Sequence, residues 1–315
     1  MVLRRSGLRR VLRGAVTAMF LLAFDHRGVF ARTIFDTTGE PTPEQETQMV
    51  LAKSVIYDGV RRAAQRRALP AGTAGILVDE LYGADVARDA RADGVVLVMP
   101  VEMPDRELFA FAYGADWRAH VAAFEPDYAK VLVRYNADGD RDGNAEQAAR
   151  LAELSGWLQE TGRRFLFELI VDPTAAQLAA VDGDRERFVR ELRPALIVRA
   201  IAALQDAGVE PDIWKLEGLD DPADAAQAAT QARSGAGREH VRCTILGAGA
   251  PDDRVDHWLR TAAATDGFAG FAIGRSIWRD AVRAHLASTL DRDAAAEQIA
   301  TNYLRFVDVF RDARS

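Results

Sequence analysis

The chain has 315 residues, 49% hydrophobic and 28% charged, with a formal net charge of −7. That length suits two average domains or one large barrel, and no basic stretch alternates with aromatics, which argues against a nucleic-acid partner. Cys243 is the only cysteine, so an internal disulfide framework and cysteine-rich zinc sites are excluded and a reducing, cytoplasmic compartment is indicated.

At the amino terminus, MVLRRSGLRRVLRGAVTAMFLLAF has a basic start and an apolar run, as a secretory leader would. No small-residue cleavage site follows, and the run over 15–24 is too short to span a bilayer, so no membrane role is expected. We read residues 1–16 as a poorly ordered extension and 17–315 as one domain that starts with the strand MFLLAFD (19–25). The loop DHRGVFARTIFDTTGEPTPE leaves the carboxyl end of that strand, and a surface helix over 43–69 follows it. Further short apolar runs are GILVDE (75–80), VVLVMP (95–100), KVLVRY (130–135) and FLFELIV (165–171), then DIWKLE (212–217), VRCTILG (241–247) and GFAGFAIG (267–274). Runs of this length, rich in Val, Ile and Phe and bounded by Gly, Pro or Asp, read as buried parallel strands. Helical patterns lie between them, most clearly over 43–69, 144–161, 185–207, 222–233, 252–264 and 276–312. Eight strands alternating with helices make an α/β fold, a single (β/α)8 or TIM barrel, with an open doubly wound sheet as the alternative. No internal repeat, linker or composition shift marks a second domain.

In such a barrel the catalytic groups stand at the carboxyl ends of the strands. Charged residues at those ends are Asp25, Glu80, Arg134, Glu168 and the pair Lys215/Glu217; Glu102 follows the third strand and Lys130 begins the fourth. Only three lysines, Lys53, Lys130 and Lys215, stand against 37 arginines. Arginine keeps its proton and cannot form an imine, whereas a lysine amine can, so the two lysines inside apolar runs are informative. Lys53, on the surface helix, carries no expectation. In the strand 212–217, alternation puts Ile213, Lys215 and Glu217 on one face and Trp214 and Leu216 on the other. Packing the two large apolar groups against the outer helices turns Lys215 inward. Burial there, with Lys130 as a second cation two strands away, favours the free amine that attacks a ketone. A lysine merely paired with Glu168 or Glu217 is the competing reading. Glu168 is a carboxylate among apolar neighbours; burial raises its pKa and a facing lysine lowers it, and a balance near neutrality suits a proton shuttle. Asp25 is a possible partner for it, or only a turn cap.

The last two strands offer an anion site. Gly247 and Gly249 follow the seventh, while Gly274 and Arg275 follow the eighth and open a helix, the place where barrels often hold phosphate. Metal chemistry is not expected: the histidines at 26, 120, 240, 257 and 285 show no HxH or HxxxH spacing. No GxGxxG, GxxxxGK[ST] or GxSxG motif is present.

The runs FDHRGVF, LVDELYG, KVLVRYNADGD followed by Asn144 and Gln147, FLFELIV, EPDIWKLEG and GFAIGRSIW together resemble a known family over about residues 20–285. It is the DUF2090-type barrel domain fused to the sugar kinase of myo-inositol catabolism and assigned as a 2-deoxy-5-keto-gluconate 6-phosphate aldolase. More distantly, the chain is similar to tagatose-bisphosphate and sulfofructose-phosphate aldolases. Their Schiff-base lysine lies in a K-x-E strand, matched by Lys215-Leu216-Glu217. The resemblance likewise implies a shuttle glutamate at Glu168, a second lysine at Lys130 and a first-strand aspartate at Asp25. The chain departs from the pattern at 100–107, where Pro100-Val101-Glu102-Met103-Pro104-Asp105-Arg106-Glu107 replaces an expected Glu-Arg-x-Gly in a loop that borders the substrate, and no kinase segment accompanies the barrel.

The expectation is a class I aldolase in carbohydrate catabolism that needs no metal or other cofactor. Lys215, Glu168, Lys130 and Asp25 would do the chemistry, and Gly247, Gly249, Gly274, Arg275, Arg134 and Glu217 would bind a phosphorylated sugar or sugar acid. Alternatives are an isomerase or epimerase with Glu168 as base, and a non-catalytic sugar-phosphate-binding protein. The long carboxy-terminal helix could form a homo-oligomer interface or close the barrel.

Overall fold

The computed structural model describes residues 18–36, 39–67 and 69–314, and the expected extension over 1–16 lies outside the described residues. Eight parallel strands alternate with helices: β1 (Met19–Ala23), β2 (Ala74–Leu77), β3 (Val96–Pro100), β4 (Tyr128–Arg134), β5 (Arg164–Ile170), β6 (Ile213–Leu216), β7 (Arg242–Leu246) and β8 (Phe268–Ile273). β1 pairs with both β2 and β8, so the sheet closes on itself and the open-sheet alternative falls.

Alternation along each strand sorts side chains into two apolar groups. Met19, Leu21, Ala23, Leu77, Val98, Tyr128, Leu166, Ile213 and Ala272 form one cluster made only of strand residues, which fills the lumen. Phe20, Leu22, Ile76, Val131, Phe167 and Trp214 belong to the larger cluster between strands and helices. The lumen positions are followed two residues later by polar ones: Ala23 by Asp25, Tyr128 by Lys130, Leu166 by Glu168 and Ile213 by Lys215. Register puts Glu168 directly opposite Lys215. A ring of charge therefore caps the apolar plug.

The surrounding helices are α1 (Gly28–Phe35), α2 (Pro43–Arg67), α3 (Glu80–Asp93), α4 (Trp117–Phe124), α5 (Arg141–Glu160) and α6 (Ala175–Ala180). A short α7 (Arg185–Arg187) runs through a π-turn over Phe188–Leu192 into α8 (Arg193–Asp206), followed by α9 (Pro222–Ala232), α10 (Asp252–Ala263), α11 (Arg275–Leu286) and α12 (Arg292–Asp312). Two differences from the sequence reading matter. The stretch after β1 is not all loop, because Gly28–Phe35 forms α1 and buries Phe30, Ala31 and Ile34. The single helix expected over 276–312 is two: Ser288 adopts a left-handed φ of +55°, and Asp291 restarts the helix by accepting from Ala294 N at 2.7 Å.

Gly274 shows why the β8–α11 turn is glycine. A Cβ there would lie 2.3 Å from the Ala23 carbonyl oxygen, so any other side chain would push the turn away from β1. The same carbonyl accepts a hydrogen bond from Trp278 Nε1 at 3.0 Å, which fixes α11 against the end of β1.

Candidate active site

Five strands, β1, β3, β4, β5 and β6, supply a buried cluster of two lysines and three carboxylates, from within them or just past their ends. Lys215 Nζ lies 2.8 Å from Glu168 Oε1, while Lys130 Nζ lies 3.1 Å from the other oxygen of the same carboxylate. Lys130 also donates to Asp25 Oδ2 at 2.9 Å and to Glu102 Oε1 at 2.7 Å. The side chains of Lys130 and Lys215 are 2% and 5% exposed, so these contacts are shielded from water.

The electrostatics follow from that geometry. Lys130 loses hydration on burial, but Asp25, Glu102 and Glu168 outweigh this and hold its ammonium well above the ordinary lysine pKa. Lys130 is thus a charged second cation close to Lys215, and its charge is shared with three carboxylates. Glu168 is pushed up by burial, yet Lys215 and Lys130 more than compensate and lower its pKa below the usual value. The expected balance near neutrality fails because two lysines, not one, face it. Asp25 is likewise raised by burial and then taken well below the carboxylate range by Lys130, His26 and Lys215. Glu102 goes the other way: burial, helped by Asp25, lifts its pKa against the pull of Lys130 and Arg27, and its second oxygen is buried with no hydrogen-bond partner. Three carboxylates on one ammonium thus divide into two held ionised and one pushed toward the acid form.

Glu102 is the site residue that the sequence left without a role. It follows β3 in a bridge with Phe111, past the point where strand alternation says which way a side chain faces. His26 was considered only as a metal ligand. Its imidazole packs 3.5 Å from the Cβ position of Gly274 and edge-on to Trp278. Burial lowers its pKa to about 4 against the pull of Asp25, with Arg275 and Lys215 adding to the lowering.

The glycine turns and Arg275 come together as one group. Ala248 and Gly249 take successive left-handed conformations, φ +51° and +71°. A Cβ at Gly249 would meet the Arg275 guanidinium at 2.7 Å, so the glycine makes room for the arginine. Among the described residues no carboxylate pairs with Arg275 within 4.0 Å, a cation left free at the start of α11. Gly249, Arg275 and Ser276 line a cleft of about 560 Å³ that runs outward to Asn302 and Arg305. The lysine cluster does not line this cleft; the buried His26 feels the charge of both Arg275 and Lys215.

Two expected ligands stand apart. Arg134 is exposed and ion-paired with Asp172 beyond the end of β4. Glu217 spends both oxygens on the protein, one on Arg193 Nη1 at 2.9 Å and the other on the Val171 amide at 2.9 Å. Strand alternation placed Glu217 with Lys215, but β6 ends at Leu216, and past that end Arg193 of α8 donates to Glu217 and to the Gly218 carbonyl. Among the described residues no group of three or more His, Cys, Asp or Glu is arranged to hold a metal ion, and no helix is long and apolar enough to cross a membrane.

Fold and site together define an eight-stranded α/β barrel with a buried lysine–carboxylate cluster at the carboxyl ends of its strands. The chain belongs to the DUF2090 family, described as an uncharacterized protein conserved in bacteria, whose model matches residues 3–314. A search of curated proteins finds no match. Among solved structures, fructose-bisphosphate aldolase from Plasmodium falciparum, crystallised with TRAP and a small-molecule inhibitor, is similar with a TM-score of 0.66 at 12% identity, covering 96% of this chain and 93% of that one. Cgl0159 from Corynebacterium glutamicum (Brevibacterium flavum) is similar with a TM-score of 0.57 at 16% identity, covering 94% and 88%. At these identities the likeness is one of fold.

Proposed function

We propose that this barrel is a class I aldolase that cleaves a phosphorylated keto sugar acid, or a related ketose phosphate, through a Schiff base on Lys215. The observation that carries the reading is one buried carboxylate, Glu168, shared between Lys215 at 2.8 Å and Lys130 at 3.1 Å. A nucleophilic amine next to a proton carrier is what imine chemistry requires. The amine adds to the substrate ketone, and the carbinolamine loses its oxygen as water when Glu168 delivers a proton. The bond between the two carbons next along the chain from the iminium carbon then breaks, its electron pair forming an enamine, while the departing hydroxyl proton passes to a carboxylate and an aldehyde leaves. Protonation of the enamine at carbon and hydrolysis of the imine return the free amine.

Lys130 stays charged and draws Asp25, Glu102 and Glu168 around the reacting centre. Asp25, held ionised, would accept the hydroxyl proton, and Glu102 would supply an acid oxygen. Gly247, Gly249, Gly274 and Arg275 would bind the phosphate through backbone N–H groups and a guanidinium. Two findings support the reading: the chain belongs to DUF2090, the family named in the sequence resemblance, and the Plasmodium structural relative carries the printed name of an aldolase.

The test is borohydride reduction in the presence of dihydroxyacetone phosphate or fructose 1,6-bisphosphate, followed by peptide mass spectrometry. A stable adduct on Lys215 is expected, with turnover reduced on the order of 10³-fold or more in Lys215→Met. Turnover without an adduct, in a protein whose Lys215→Arg form remains active, would instead indicate isomerisation with Glu168 as base. Binding without turnover would indicate a sugar-phosphate sensor.

A further inference from the structure

The third lysine is buried as completely as the other two. Lys53 is 0% exposed, not on the surface as its helix suggested. From α2 its Nζ ion-pairs with Asp79, also 0% exposed, and donates to the His26 carbonyl at 3.0 Å. The ring of Phe30 lies 5.0 Å from the nitrogen and that of Tyr82 5.8 Å. Asp79 is engaged on its other side too, since its Oδ2 accepts the Tyr82 amide at 3.0 Å and caps α3. A continuous chain of contacts thus runs from the start of α3 through Asp79 and Lys53 to the backbone of the turn that carries Asp25.

A buried ion pair is a poor device for stability, because dehydrating two charges cancels most of their attraction, and apolar replacements of similar volume are often neutral or better. What this pair offers that methionine and leucine would not is a directional donor to one carbonyl. The turn over 24–27 is tied at its ends, where Phe24 N donates to the Leu77 carbonyl at 2.8 Å and the Arg27 carbonyl accepts from Phe30 N at 3.0 Å. Between those ends the side-chain donor Lys53 Nζ holds the His26 carbonyl, next to Asp25, and Trp278 Nε1 holds the Ala23 carbonyl just before the turn.

We propose that Lys53 and Asp79 are a buried positioning pair that sets the Asp25 turn, and so places the Asp25 carboxylate against Lys130. The charged groups that face Asp25 are then Lys130 from β4, Lys215 from β6, Lys53 from α2, its neighbour His26, and the carboxylates Glu102 and Glu168. Only the effect of the pair on rate rests on the aldolase reading; its effect on Asp25 does not.

The double variant Lys53→Met/Asp79→Asn tests this, since the new amide side chain keeps an oxygen to cap α3 and no unpaired charge is left. Carbon-13 NMR of the aspartate carboxyls, with Asp25 assigned by the signal lost in Asp25→Asn, is the direct readout. In the parent protein Asp25 should take up its proton well below the ordinary carboxylate range, whereas in the double variant it should do so nearer the ordinary value of about 3.9. Lys53→Arg, which keeps a charged donor, should restore the parent titration. Cleavage turnover should fall about 10- to 100-fold in the double variant, while the Lys215 adduct with dihydroxyacetone phosphate still forms. An unchanged Asp25 titration overturns the proposal. So does a double variant that unfolds at markedly lower urea, for the pair would then serve stability. If the parent forms no adduct, the aldolase reading fails, and the Asp25 signal still decides the positioning role.

Discussion

Glu168 is where the chemistry of single residues is most visible. One carboxylate bridges two lysine nitrogens, and its ionised form is favoured because both lysines oppose the cost of burial. Replacing it by glutamine keeps the shape and removes the proton site. We expect Glu168→Gln to lower kcat by about 10²- to 10⁴-fold, measured on whichever ketose phosphate forms the Lys215 adduct. His26 makes a prediction about pH. Buried beside Arg275 and Lys215, its imidazole is lowered from 6.5 to about 4. Between those values the unfolded chain binds a proton that the folded chain excludes, so stability falls as pH drops through that window, by at most about 3 kcal/mol. Urea unfolding at pH 7 and near pH 4.5 should show the loss in the parent and a smaller one in His26→Gln; equal losses would acquit His26. These values could not be read from the sequence, because each is a sum over neighbours that different strands contribute.

Among the elements, the two turns that follow β7 and β8 act as a unit. Gly249 yields space to the Arg275 guanidinium, and Gly274 lets α11 start against the end of β1. With no carboxylate among the described residues paired to Arg275, its expected task is to hold the anionic end of a substrate. Arg275→Met should raise KM for a phosphorylated substrate about 10- to 100-fold with kcat nearly unchanged, and should leave an unphosphorylated analogue unaffected. A loss of kcat alone would place the anion elsewhere. These turns were legible in advance, because glycine beside a helix start carries a local signal. Arg134 and Glu217 were not: the strand pattern says which face a residue is on only while the strand lasts, and both lie at or past its end.

For the whole molecule, the decisive event is closure of the sheet, and α12 secures it. Ile299, Ala300, Tyr303, Phe306, Val307 and Phe310 are buried along one side of that helix. Tyr303 donates its buried hydroxyl to the Phe20 carbonyl of β1 at 2.7 Å. Tyr303→Phe would leave that carbonyl without this partner and should cost about 1–3 kcal/mol in urea unfolding while the Lys215 adduct still forms. Of the two roles considered for the carboxy-terminal helix, closing the barrel is the one its buried face performs.

By itself the sequence determined the eight strands, their alternation with helices, and which strand ends carry lysine and carboxylate. Those are local matters: a period of two, an apolar run, a glycine or a cap act over a few residues. Only the tertiary structure decided that Lys130 is shared by Asp25, Glu102 and Glu168, that Lys53 is buried on Asp79, and that Glu217 belongs to Arg193. Such pairings join residues from 24 to 105 positions apart. Their strength comes from exclusion of water, which exists only once the barrel has closed.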